Sequence, residues 1–151
     1  MRPKTTWFLV ADGARARIYA TEGRALDLKP VFAHEFAAPT RAPNRAADSD
    51  KPGRSFDSAG QGRHAMEREV DWQTHEKQMF SKALARELEQ GANRNAYDRL
   101  VLVAAPEILG FLRDDLGKNA ARLVVAEINK DLTHLDALRL SEHLGGAVQL
   151  D

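Results

Sequence analysis

The stretch Thr6-Trp7-Phe8-Leu9-Val10-Ala11-Asp12-Gly13-Ala14-Arg15-Ala16-Arg17-Ile18-Tyr19 decides the fold. Residues 7–11 form an apolar run of strand length, and Asp12-Gly13 is a turn dipeptide. Residues 15–21 then alternate Ala16, Ile18 and Ala20 against Arg15, Arg17 and Tyr19. This spacing predicts a tight β-hairpin whose corner needs positive-φ residues. Its second strand is expected to be half exposed, with Arg15 and Arg17 on one outward face.

Further along, Glu22-Gly23 marks a second turn and residues 26–36 a third strand. Pro30 in that strand has no amide to donate, which predicts an edge position or an interruption. Residues 37–69 break the pattern. They are rich in Pro, Gly and small polar side chains, and a long flexible loop is expected there. Residues 70–89 have helical periodicity, with Trp72, Met79, Phe80, Ala83, Leu84 and Leu88 as the apolar positions, Asp71 as N-cap and Gly91 as stop. Residues 100–105 are continuously apolar, the mark of a strand covered on both faces. Pro106 suits the first position of a helix lined by Ile108, Leu109, Leu112 and Leu116. Residues 123–128 fit either a strand or a helical stripe; their β-branched content favours a strand. Residues 136–144 read as a last helix, ended by Gly145-Gly146.

The order β-β-β, loop, α-β-α-β-α predicts one α/β domain over residues 1–151. A mixed sheet would begin with the hairpin and its meander and carry helices packed on it.

At 151 residues with 43% hydrophobic side chains, the chain can bury a core without covalent staples. It has no cysteine, which excludes disulfides and thiolate zinc and fits a reducing compartment. The apolar run at residues 7–11 is too short for a signal core or a membrane span. A cytoplasmic location without membrane insertion is therefore expected. The 22 basic and 22 acidic residues balance, so nucleic-acid contact would need a local patch.

Asp12, at the end of the first strand, stands where a metal-binding carboxylate would stand in a ribonuclease H-like nuclease, with Glu67 and Asp131 as conceivable partners. Turn chemistry with Gly13 accounts for it more simply. The five histidines have no metal-ligand spacing, and there is no Gly-x-Ser-x-Gly elbow, P-loop or Gly-x-Gly-x-x-Gly. Neither metal nor cofactor is expected. The long loop remains. Its Arg41, Arg45, Lys51, Arg54, Arg63 and His64 are interleaved with Asp48, Asp50 and Asp57, which reads either as a solvated insertion or as an adaptable surface for RNA phosphates or a protein partner.

Several motifs carry a family resemblance. They are residues 7–19 as quoted, Gly53-Arg54-Ser55-Phe56-Asp57, His75-Glu76 with Phe80, residues 97–104, Leu109-Gly110-Phe111-Leu112-Arg113 and Lys130-Asp131-Leu132-Thr133-His134. Spread over nearly the whole chain, they resemble the bacterial host-attachment protein family. That family is in turn similar to the central domain of archaeal and eukaryotic class-1 peptide-chain release factors, where a loop presents Gly-Gly-Gln for peptidyl-tRNA hydrolysis. Here the corresponding residues are Ser58-Ala59-Gly60-Gln61-Gly62-Arg63, with Ala59 where the motif has its first glycine.

The resemblance implies a release-factor-like fold of ribonuclease H-like topology and a translation-related, non-enzymatic binding protein. RNA, the ribosome or a protein partner would be met through the 37–69 loop (Arg41, Arg45, Arg54, Gly60, Gln61, Gly62, Arg63, His64), with Asp12, Arg15 and Arg17 as an adjoining hairpin face. The alternatives are a ribosome-directed peptidyl-tRNA hydrolase using Gln61 and, behind it, a metal-dependent nuclease using Asp12.

Overall fold

A computed structural model describes residues 2–39 and 59–150, with side-chain environments throughout except at residues 59–65, 67 and 70. Strands β1 (Thr5–Ala11) and β2 (Arg15–Glu22) form the hairpin, with Trp7 opposite Ala20 and Leu9 opposite Ile18. Two short strands follow, β3 (Lys29–Pro30) and β4 (Phe36–Ala37). Helix α1 covers Ala59–Asn93, and then come β5 (Arg99–Val103), α2 (Pro106–Asp115), α3 (Lys118–Leu123), β6 (Val124–Ile128) and α4 (Ala137–Gly145). Strand order is β3-β2-β1-β5-β6, with β4 pairing the other end of β2. The hairpin is antiparallel, whereas β1–β5 and β5–β6 are parallel. The fold is the expected α/β type with a mixed sheet.

Side chains alternate strictly across the central strands, and both faces are covered. Trp7, Leu9, Ala11, Ile18, Leu100 and Leu102 pack under α1, α2 and α3. Phe8, Val10, Tyr19, Val101 and Val103 pack against Leu140 and Leu144 of α4. This two-sided burial is why residues 7–11 of β1 and 100–103 of β5 are uninterrupted apolar runs. It also corrects the expectation for β2. Ile18 and Tyr19 are both buried, and Arg17 is half-buried rather than outward. The single third strand expected over 26–36 is instead two two-residue strands at opposite ends of β2. Pro30 sits opposite Tyr19 on the outer edge, where its missing amide leaves no ladder bond unmade.

Helix α1 departs most from expectation. It begins at Ala59, so the segment read as the end of a loop is helical, and Asp71 lies inside the helix instead of capping it. Gly91 does not stop it. That residue is a buried helical position where a Cβ would come within 2.8 Å of the Trp7 ring, which itself stacks on Tyr97 with centroids 4.6 Å apart. The helix ends two residues later, at Asn93. Asn95 takes φ 58° there, the Asn95 amide donates to Ala92 O at 3.1 Å, and the Ala96 amide donates to Gly91 O at 2.8 Å. That is a Schellman closure with Asn in place of the usual glycine.

Pro106 opens α2 as expected, and Asp136 caps α4 by accepting the Arg139 amide at 2.9 Å. Helix α3 carries no cap of its own. Glu89 of α1 supplies one by accepting the Ala120 amide at 2.8 Å and the Asn119 amide at 3.4 Å.

Candidate functional site

Open α/β sheets tend to present ligands at the carboxyl ends of their parallel strands. Here that edge gathers the β1–β2 turn, the start of α2, the β6–α4 connection and Lys77 of α1. Asp12 is half-buried at its centre. Its Oδ1 accepts the amides of Ala14 (2.8 Å) and Arg15 (2.7 Å), while its own amide donates to Arg15 O at 2.9 Å. The carboxylate thus stands in for the main-chain carbonyl that would otherwise close the turn. The turn needs no left-handed residue, contrary to expectation: among the described residues the positive-φ positions are Gly23 and Asn95. Gly13 is instead a point of close approach to α1. A Cβ there would lie 2.8 Å from Cγ of Lys77, which passes over the turn to pair with Glu107 at 3.0 Å.

Asp12 and Asp131 do approach one another, around Thr133. The Thr133 hydroxyl donates to Asp131 Oδ1 at 2.5 Å and lies 3.4 Å from Asp12 Oδ2; the Thr133 amide also donates to Asp131 Oδ1, at 3.0 Å. A hydroxyl has one proton, so Asp131 takes it. These bonds, with His134 and Arg15 nearby, hold the Asp131 carboxyl below its usual range against an opposing effect of partial burial. Asp131 is itself closing a local turn. Among the described residues no three Asp, Glu or His side chains converge to hold a metal ion, and the side chain of Glu67 lies outside the described set.

Arg17 was expected on an exposed face, yet its guanidinium is committed within the fold. It donates to Tyr19 Oη at 2.8 Å and to the carbonyls of Thr133 (2.7 Å) and Leu135 (2.8 Å), fixing the β6–α4 connection to the hairpin. Arg15 remains exposed at the tip. Of the expected loop residues, Arg41, Arg45 and Arg54 lie outside the described residues. Gly60, Gln61, Gly62, Arg63 and His64 lie in the first turns of α1, on helical backbone rather than in the loop expected there.

A surface that the sequence reading missed runs along α1. Arg68, Trp72, His75, Met79, Lys82 and Arg86 recur every fourth and third residue, and all six are exposed. Buried Phe80, Ser81, Leu84, Ala85, Leu88 and Ala92 occupy the other side, so this row points away from the core. Trp72 is 41% and Met79 53% exposed, so these two of the helix's periodic apolar positions do not face the core. Trp72 and His75 are in ring contact, with centroids 5.7 Å apart. None of Arg68, Lys82 and Arg86 joins an ion pair among the described residues. Lys82 and Arg86 also border a cleft of about 440 Å³ between α1 and the α2–α3 segment, whose far wall carries Asp114 and Asp115. The four-three spacing could have revealed this row, had the two large apolar residues not drawn it toward the core.

Among the described residues no helix is long and apolar enough to cross a membrane. No curated protein matches the chain. A family model described as "protein required for attachment to host cells" matches residues 7–144, from within β1 to the last turn of α4. The chain therefore belongs to the family of proteins required for attachment to host cells.

Proposed function

We propose that this family member is a non-enzymatic, cytoplasmic binding protein that contacts RNA on the ribosome through the outer face of α1 and the segment leading into it. The observation that carries this reading is the row of Arg68, Lys82 and Arg86 on the side of α1 opposite the core. Cations aligned along one helix face are the electrostatic footprint of a phosphate contact, and they are available for it because no carboxylate pairs with Arg68, Lys82 or Arg86 among the described residues. The resemblance to the release-factor central domain supports a translation-related partner, and the cytoplasmic placement follows from that partner. A binding role fits better than catalysis because the groups at the strand ends serve the fold: Asp12 closes the hairpin, Arg17 ties down the β6–α4 connection, and Asp131 is bonded to Thr133.

Ribosome co-sedimentation at low and high salt tests this. The expected result is association at low salt that weakens as salt rises. Replacing Arg68, Lys82 and Arg86 together by Ala should abolish it. A protein that stays in the supernatant at every salt concentration, or a triple variant that pellets as well as wild type, would overturn the reading.

A further inference from the structure

Resting on that reading, we infer that the RNA met by α1 is single-stranded and that Trp72, braced by His75, is the platform on which one of its bases stacks. Three observations converge. Trp72 exposes 41% of its surface, beside exposed Met79 on the same face, and its ring meets that of His75 at 41°. Arg68 lies one turn before this pair and Lys82 two turns after it, all in one row. From Arg68 to Arg86 the row spans roughly 27 Å of helix axis at about 1.5 Å per residue. Cations tracking a backbone on either side of an aromatic face is the arrangement that holds unpaired bases, since every base offers a π-face whatever its identity.

The flanks of the row discriminate between single strand and duplex. Exposed Glu69 lies to one side and exposed Asp71 to the other, so the cationic strip is one side chain wide. A duplex presents two phosphate rows and would set one of them against carboxylates. A single strand can lay its one row along the strip and turn a base onto Trp72.

The two tryptophans make the test direct. Trp7 is 3% exposed and stacked on Tyr97, so a change in fluorescence on adding RNA reports Trp72. The full chain is titrated with a single-stranded oligouridylate and, separately, with a duplex of equal length. The expected result is quenching by the single strand with tighter binding than to the duplex. Trp72→Ala should weaken single-strand binding by about tenfold, and Trp72→Phe should retain most of it. Because Trp72 is exposed, both variants should keep the wild-type circular dichroism.

Salt-sensitive binding that is equal for the two RNAs, or unchanged in Trp72→Ala, overturns the stacking inference while leaving the phosphate contact standing. No binding of either RNA overturns both.

Discussion

The two ends of helix α1 have the same secondary structure and opposite relations to the rest of the molecule. From Phe80 to Ala92, every third or fourth residue is buried beneath β1 and β5, and Tyr97 donates to Leu88 O at 2.6 Å to fix the helix end to the sheet. Before Phe80 the helix carries exposed Met66, Trp72 and Met79. Geometry explains the division. Thirty-five residues make a helix of roughly 52 Å, whereas seven residues of β1 extend only about 23 Å. The sheet cannot cover the whole helix. The difference teaches that apolar spacing establishes a helix but not which side faces inward. Met79 and Leu84 are separated by about 140° around the axis at 100° per residue, so two rows that look like one stripe in the sequence lie on nearly opposite faces.

The comparison is broken most severely by truncating one apolar side chain from each part. Leu88→Ala should lower unfolding free energy by about 2–5 kcal/mol in urea denaturation. Met79→Ala should change it by no more than about 0.5 kcal/mol. Similar losses in the two variants would mean that the outer part of α1 packs against the fold after all.

The parts meet where Lys77 crosses the hairpin turn, which makes Asp12 the next place to press. Asp12→Ala removes the acceptor for two amides and should cost about 1–2 kcal/mol, whereas Asp12→Asn keeps a side-chain oxygen there and should lose less than half of that. Equal losses would show that charge, not turn closure, is what Asp12 contributes.

The smallest effect concerns pH. The Asp131 carboxyl titrates below its usual range in the folded chain, chiefly because of the Thr133 hydroxyl. A depressed carboxyl contributes stability that is fully present above its unfolded value and is lost as pH falls through the folded one. Thr133→Ala should move the Asp131 titration upward, followed by NMR, and flatten the acid limb of the stability curve. An unmoved titration would place the cause elsewhere.

What was legible in the sequence follows the range of the forces involved. Strands β1 and β5 could be read because burial on two faces leaves unbroken apolar runs at residues 7–11 and 100–103. Pro106 and Asp136 marked helix starts because their effects are local. The start of α1 at Ala59 was hidden by glycines at 60 and 62 that read as loop. Helix α3 was missed because its cap, Glu89, comes from another helix. Gly91 and Gly13 look like turn residues in the chain, yet Gly91 is held small by the buried Trp7 ring and Gly13 lies close under the Lys77 stem, both neighbours distant in sequence. At the strand ends, the turn role of Asp12 was legible because the amides it accepts lie two and three residues on. The inward commitment of Arg17 was not legible, because carbonyls of residues 133 and 135 become its partners only once the fold closes.

The parallel pairing of β1 with β5 also sets an order of events. Thr6 stands beside Arg99, and the two side chains share a hydrogen bond of 3.0 Å across 93 positions of sequence. The hairpin can form as soon as its 18 residues exist, since β1 and β2 together span only Thr5–Glu22. Until β5 emerges, the other edge of β1 has no strand to meet. Contacts this distant make folding slow relative to chain size, because the intervening loop must close before any of its gains appear. On a translating ribosome, a strand with five consecutive apolar residues would therefore wait half paired while about 80 further residues are made.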